Sequence, residues 1–399
     1  MNILMLHPHD IHSTFEPWTV RIVYIAKELI KKGHSVKLVY FPLERQEQGP
    51  RQLSDGLVAL PLSRRHGPGV LIRNIAYVYK LAAWADVVHV QKCFYQAVLP
   101  AITAAVLRGK PLHYDWDDWE VKIYEASAAP GRLKGFIQGF LGILENTLPR
   151  LADTVSVASG RLKEECTKLG IDRAKIFDAH VGADIAKFHP GVSGQRVRKK
   201  YNIQNPLVLY LGQLHGGQYV ELFIETAARL LRQHQQDLSF MIVGDGYRAQ
   251  ELKRIAEQKQ LNGSLIFTGA VSHELVPEYV AAADVCVACF EENEVTVCKS
   301  PLKIVEYLSS GKAIVASSVG EVPHMLQEAG ILVQPGSATS LAEGILRIIR
   351  DGSLRQRLEA GARKRAQEEY NWTVTTENIL RAYAEALRLS GRHALEKRR

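Results

Sequence analysis

One pattern constrains this chain more than any other: strand, loop, helix and strand run their course and then start again. NILMLHP is a short apolar run that ends in a polar loop. PWTVRIVYIAKELIKKG has helical periodicity and a glycine stop, and HSVKLVYF is the next strand. A βαβ unit of this kind makes a parallel sheet flanked by helices. ADVVHV and KPLHYDW are further strands, and DTVSVAS follows the amphipathic segment GFIQGFLGILENTLPRLA. After HVGADIAKFHP the pattern restarts, with LVLYLG, LSFMIVGDG, SLIFTG, DVCVACF, KAIVASS and GILVQP as short strands between helices such as QYVELFIETAARLLRQ. The reading is α/β, with two doubly wound domains over residues 1–190 and 191–371 that are expected to face each other across a cleft. Residues 372–399 carry apolar positions at helical spacing and a basic tail, and are expected to cross back to the first domain.

With 399 residues, 46% of them hydrophobic, the chain can build two packed cores and is too long for one ordinary core. The net charge of +8 is spread along the sequence, apart from small knots at Arg64 and Arg65, at Arg196 to Lys200, and at Lys397 to Arg399. That gives a mild attraction to anionic ligands and surfaces, with no nucleic-acid module beneath it. The five cysteines, at 93, 166, 286, 289 and 298, form no metal or disulfide framework. Cys286 and Cys289 have CxxC spacing, but VCVAC reads as a strand, where positions three apart point to opposite faces, so core packing is expected. MNILMLHPHD has no basic leader, and no apolar stretch reaches the roughly 20 residues of a membrane span, so a cytoplasmic protein is expected.

Ligands of open α/β sheets bind outside the carboxyl ends of the strands. The loops HPHDIHSTFEPW, YDWDDWE, GQLHGGQ and VGDGY all fall there, although glycine in such loops also serves turn geometry alone. KSPLKIVEYLSSGKAIVASS sharpens the picture. Ser300 is a good N-cap, Pro301 suits the first helical position and Gly311 ends the helix, which puts Lys303 in the first turn. A cation there is disfavoured by roughly a few tenths of a kcal/mol unless an anion sits in front. A helix start with a lysine beside it suits a phosphate, and Glu306, one turn deeper, has two oxygens to accept from the vicinal hydroxyls of a sugar. A phosphate beside a diol is half a nucleotide. Spacing alone also describes a surface Lys–Glu pair at i, i+3.

These residues carry a resemblance. The first strand and its HP loop, KKGHSVKLV, LENTLPRLADTVSVAS, VGADIAKFHP, LVLYLG, the VGDG turn and SPLKIVEYLSSGKAIVASSVGEVPHML stand in the order usual for family 4 glycosyltransferases of the two-domain, retaining type, which the chain resembles over nearly its whole length. The resemblance implies the GT-B fold, an acceptor-side Rossmann-like domain followed by a nucleotide-sugar-binding one. It implies transfer of a hexose-type sugar from a nucleotide-diphosphate sugar to an acceptor hydroxyl with retention, without metal or any cofactor beyond that co-substrate. Acceptors in such a family are often cell-surface or lipid-linked glycans. The segment RLKGFIQGFLGIL, residues 132–144, and the basic loop SRRHG can lie on the inner face of an anionic bilayer. Packing of that helix into the first domain is the stronger expectation. Two other readings stay open: a non-catalytic relative that binds a sugar nucleotide or a partner enzyme, and a sugar-nucleotide epimerase of the same architecture.

Residue by residue, the resemblance assigns Glu306 to the nucleotide ribose and the backbone of Ser300, Pro301, Leu302 and Lys303 to the diphosphate. It assigns Gly244 and Asp245 to the donor turn, Thr268, Gly269 and Ala270 to the base, and Gly212 to the start of the phosphate-side loop. Positive groups there stabilise the departing diphosphate, which gives Lys303 its catalytic role. Three departures stand out. Gln213 and Gln218 hold places where the family usually has Arg and Lys, with Arg21 and Lys299 as candidates to restore the charge. Cys298 replaces the first of two paired glutamates, so sugar contacts are expected from Glu291, Glu292 or Glu294, and the thiol is expected to be a neutral filler. Asp117 stands where a histidine commonly faces the reacting sugar and is assigned to the site, to accept the acceptor's proton or hydrogen-bond a sugar hydroxyl. The alternative is that Asp118 caps the next segment and Asp115 solvates the loop. Asp115, Trp116 and His9 are assigned to acceptor or sugar contacts, Trp116 and Trp119 either stacking on a sugar or being buried. In the HP loop, FEPWT replaces the family's paired glycines.

Overall fold

The computed structural model describes residues 1–13, 17–43, 51–52, 56–127, 131, 133–215, 219–234 and 237–396. The chain divides into two units, Met1–His180 together with Trp372–Arg399, and Val181–Asn371.

In the first unit the short apolar runs form β1 (Asn2–Leu6), β2 (Ser35–Tyr40), β3 (Arg51–Gln52), β4 (Val58–Pro61), β5 (Val87–Gln91), β6 (Leu112–Trp116), β7 (Thr154–Val157) and β8 (Ile176–Asp178). They make one sheet in the order β3-β4-β2-β1-β5-β6-β7-β8, parallel except where β3 pairs β4. Every residue of β5, β6 and β7 is buried, as parallel strands covered on both faces require.

The second unit has β9 (Leu207–Leu211), β10 (Ser239–Val243), β11 (Leu265–Phe267), β12 (Val285–Ala288), β13 (Ile314–Ser317) and β14 (Ile331–Val333). Their order is β11-β10-β9-β12-β13-β14, all parallel. All five cysteines are buried and none is in a disulfide, with Cys289 inside the second unit's core.

The unit boundary falls after His180, where the sequence reading divides the chain after residue 190. The intervening residues are tied to the second unit. Ser309 Oγ donates to the Phe188 carbonyl at 2.6 Å, Arg363 donates to the same oxygen at 3.0 Å, and Ala183 N donates to Tyr370 O at 3.0 Å. The helix Trp372–Glu396 belongs to the first unit. Trp372 stacks on Tyr24 with ring centroids 5.5 Å apart, and Thr375 Oγ1 donates to the His180 carbonyl at 2.8 Å. Deeper along the helix, Tyr383 OH lies 2.7 Å from His89 Nδ1 of β5, in a buried cluster that includes His113.

The helix Lys134–Leu151 departs from expectation. Only Leu141, Glu145, Leu148 and Pro149 are buried in it. Its other apolar stripe faces outward, with Phe136 74% and Ile143 65% exposed. The helix carries two apolar stripes, and the first unit has room for one. Among the described residues no helix is long and apolar enough to cross a membrane.

Candidate active site

The order of the second sheet reverses between β9 and β12, which is where open α/β sheets bind ligands. Main-chain bonds weave three loops together at this end. Gly212 N donates to Val243 O at 3.0 Å, Leu214 N to Asp245 O at 2.9 Å, and Gly244 N to Gly269 O at 3.2 Å. Gly212 and Gly244 hold φ of 152° and 143°, and a Cβ on Gly244 would stand 1.9 Å from the Gly212 carbonyl oxygen. Only glycine permits that approach. Gly212, Gln213, Gly244, Asp245, Gly269 and Ala270 are thereby gathered at one edge, Asp245 and Ala270 exposed. Gln218 lies outside the described residues.

The helix Leu302–Ser309 starts beside these loops. Ser300 does not cap it. Pro301 takes the N-cap position in extended conformation, and Ser300 Oγ accepts from Val181 N at 3.4 Å instead. Pro301 holds ψ 118°, outside the helical range, so the first helical residue is Leu302. At the other end Gly311, at φ 61°, closes the helix, with Lys312 N donating to Tyr307 O at 3.1 Å.

Lys303 is buried, and its Nζ points back to the strand ends. It donates to Tyr210 OH at 3.1 Å and lies 4.1 Å from the Tyr210 ring centroid and 5.7 Å from that of Phe290. A Cβ on Gly212 would come within 2.9 Å of it, so the ammonium sits against the phosphate-side loop. Burial, assisted by the neighbouring charge of Lys299, pulls its pKa down to about 7. Glu306 is buried on the same helix, its Oε1 2.9 Å from His273 Nε2. Lys187 Nζ lies 3.1 Å from His273 Nδ1 and 2.8 Å from Glu274.

Sequence reasoning missed His273, whose only signal is its place just after the TGAV loop, and His215, within the quoted GQLHGGQ. Burial and the charges of Lys299 and Lys303 push the His215 pKa down to about 4. Cys298 is buried, as a filler would be, while Glu291, Glu292 and Glu294 are exposed. Lys299 is half-buried.

In the first sheet the order reverses between β1 and β5. Past these ends lie His9, with its ring edge-on to Trp18 and Phe94 and its Nδ1 3.3 Å from Arg64, and Lys92, which holds φ 63° and is buried. Asp117 follows β6 directly. Its Oδ2 accepts from Gln91 Nε2 at 2.8 Å, and its Oδ1 is 3.3 Å from Lys92 Nζ. Burial pushes its pKa up to about 7, against the pull of Lys92. Oxygens of Asp117, Asp118 and Glu120 lie within 4.8 Å of one another, but Lys92 Nζ already pairs with all three carboxylates. Its ammonium holds the place a cation would take.

Three assignments in this unit are corrected. Asp115 is still inside β6 and fully buried, where Arg21 Nε and NH2 donate to its two oxygens, each at 2.7 Å, and Ser156 Oγ donates at 2.5 Å. The guanidinium holds that carboxyl well below the usual range. Arg21, which also donates to the Ala179 carbonyl at 2.8 Å, is therefore committed to the interior and does not compensate a diphosphate. Trp116 is buried too, its Nε1 donating to Glu145 Oε1 at 3.1 Å, and presents no face to a sugar.

A family model described as a glycosyl transferase 4-like domain matches residues 19–177, and one described as glycosyl transferases group 1 matches residues 194–365. The chain belongs to the glycosyltransferases. Among similar curated proteins, the alpha-D-kanosaminyltransferase of Streptomyces kanamyceticus is 27% identical over 192 residues, 47% of this chain and 48% of that one. The D-inositol 3-phosphate glycosyltransferase of Frankia alni is 28% identical over 218 residues, 52% of each chain. This glycosyltransferase thus spans about half the length of these relatives. Its fold is GT-B. Sucrose-phosphate synthase of Thermosynechococcus elongatus superposes with a TM-score of 0.76 at 18% identity, covering 96% of this chain and 98% of that one. HepE of Anabaena, solved in complex with UDP and glucose, does so with a TM-score of 0.74 at 18% identity, covering 96% and 99%.

Proposed function

We propose that this glycosyltransferase moves a hexose-type sugar from a nucleoside-diphosphate sugar to an acceptor hydroxyl with retention at the anomeric carbon, in the cytoplasm, and that the acceptor is a cell-surface or lipid-linked glycan precursor. The observation that carries the reading is the helix Leu302–Ser309, which sets the Lys303 ammonium against the Gly212 loop and the buried Glu306 carboxylate one turn deeper. A diphosphate beside a ribose diol matches that spacing of cation and carboxylate, and the binding of UDP and glucose by HepE supports it.

In this reading Glu306 accepts from the ribose hydroxyls while His273 fixes one of its oxygens. The amides of Leu302 and Lys303, with the Lys303 ammonium, neutralise the diphosphate as it departs, where a charge-assisted bond in a water-poor site stabilises most. The backbone of Gly269 and Ala270 takes the base, and Gly244 and Asp245 line the donor turn. Lys299 supplies the charge that Gln213 does not, and Glu292 contacts the transferred sugar. No metal and no further cofactor enters this scheme. Asp117, near neutral pH in its pKa, takes the acceptor's proton as the new bond forms, with His9 beside the acceptor.

The test is a calorimetric screen of UDP, GDP, ADP and CDP, followed by donor hydrolysis without acceptor. Metal-independent binding of one diphosphate with slow donor turnover is the expected result; no binding by any of them overturns the reading. The neutral Gln213 favours one alternative, a non-catalytic sugar-nucleotide-binding protein, which would bind a diphosphate and leave every donor intact.

A further inference from the structure

The first unit shows a surface that none of this chemistry uses. On the helix Lys134–Leu151 and the residue before it, Leu133, Phe136, Ile137, Phe140 and Ile143 recur at spacings of three and four and are 41% to 74% exposed. They lie on a different stripe from Leu141, Glu145 and Leu148, which hold the helix to the unit. Five large apolar side chains side by side on one helix are far from the scattered exposure normal for a soluble surface.

The surroundings of this stripe are basic. Phe140 packs at 6.3 Å from the ring of Tyr95, whose hydroxyl lies 2.6 Å from His66 Nδ1. That contact joins the stripe to the loop carrying Arg64 and Arg65. The next helix, Pro68–Ala82, presents Ile72, 65% exposed, beside an exposed Arg73. Residues 58–85, 95–114 and 133–144 contain no Asp or Glu, while the helix Glu120–Ser127 brings Glu125 close, its carbonyl accepting from Lys134 Nζ at 3.0 Å.

We infer that this face is a docking surface for an anionic lipid bilayer, with the stripe from Leu133 to Ile143 lying among the acyl chains and Arg65, Arg73 and Lys134 at the headgroups. An amphipathic helix of this kind lies in the interface plane, and each basic residue near an anionic surface adds attraction. No helix among the described residues spans a membrane, so the contact is peripheral. A second copy is the poorer occupant. A two-fold contact sets the same patch against itself, which brings Arg65 and Arg73 toward their own copies. The inference rests on the geometry of the first unit and stands apart from the nucleotide reading.

The experiment is co-sedimentation of the full chain with vesicles of phosphatidylcholine, alone and mixed with phosphatidylglycerol. The protein is expected to pellet with the mixed vesicles, far less with the neutral ones, and less as salt is raised. Phe136→Glu with Ile143→Glu, and separately Arg65→Glu with Arg73→Glu, should each reduce that partition by at least about tenfold. All four positions are exposed, so the variants are expected to keep the parent's unfolding transition and nucleotide affinity. Absence of binding to mixed vesicles, or binding that neither pair of substitutions changes, overturns the inference. So does a dimer in light scattering that the Phe136→Glu, Ile143→Glu pair dissolves without any vesicle binding in the parent. Vesicle binding without affinity for any nucleoside diphosphate would leave the docking surface standing and remove the donor assignment alone.

Discussion

His273 Nε2 lies 2.9 Å from Glu306 Oε1, joining a half-exposed ring to a buried carboxylate. The contact fixes which way the carboxylate plane turns and leaves Oε2 for another donor. Glu306→Ala is expected to weaken nucleoside and nucleoside diphosphate binding alike by at least about tenfold, the loss of a charged acceptor. His273→Ala should lower both by about threefold to tenfold through misorientation. Titration calorimetry with a nucleoside and its diphosphate checks both; unchanged affinity in Glu306→Ala removes the ribose assignment.

Lys303 should show a different pattern. If its Nζ serves the diphosphate as proposed, Lys303→Ala should weaken a nucleoside diphosphate by at least about tenfold and the nucleoside hardly at all. Because burial holds its pKa at about 7, the free protein at pH 8 carries it largely neutral, and an arriving diphosphate draws a proton onto it. Binding at pH 8 should therefore take up most of one proton, read from calorimetry in buffers of different ionisation heat, and Lys303→Met should abolish that uptake.

The proton-acceptor role proposed for Asp117 predicts a pH-dependent transfer. With its pKa raised to about 7, the carboxylate able to accept a proton grows in as pH rises through that value. The rate is expected to climb between pH 6 and 8 and level off, and Asp117→Asn should lower kcat by about a hundredfold or more and flatten the profile. A pH–rate profile that keeps its climb in Asp117→Asn would move the role elsewhere.

The buried pair of Arg21 and Asp115 belongs to stability. Removing either partner leaves a charge in the interior, so Asp115→Ala or Arg21→Ala should cost about 3 to 5 kcal/mol in denaturant unfolding. Any folded fraction should bind nucleotide as the parent does.

His89 predicts how the first unit responds to acid. Burial holds its pKa at about 4, so the folded state resists a proton that the unfolded chain accepts near 6.5. Its contribution is full above that value and fades as pH falls toward 4, by on the order of 3 kcal/mol. Thermal unfolding followed from pH 7 to 4 should show the loss, and His89→Gln, which does not titrate, should show less of it.

Much of this is legible in the residues themselves. Strand and helix periods, the restart after HVGADIAKFHP, and the lysine and glutamate of the Leu302–Ser309 helix can be read because each depends on local spacing. Where a strand stops cannot be read so finely. Asp115 and Asp117 look alike in YDWDDW, yet the first is still in the sheet and meets Arg21, and the second has just left it. The same limit hides His273 and Lys92, which acquire their roles from partners far along the chain. The segment GFIQGFLGIL shows apolar spacing without showing which stripe the sheet covers.

The helix Trp372–Glu396 belongs to a unit whose other residues end at His180. The order of synthesis inverts the order of completion. When the ribosome has made the second unit through Asn371, that unit is whole, while the first still lacks the helix that brings Tyr383 to His89 and Trp372 to Tyr24. The half that comes earlier in the sequence finishes last, and a chain truncated before 372 should yield a folded second unit joined to an unfinished first one.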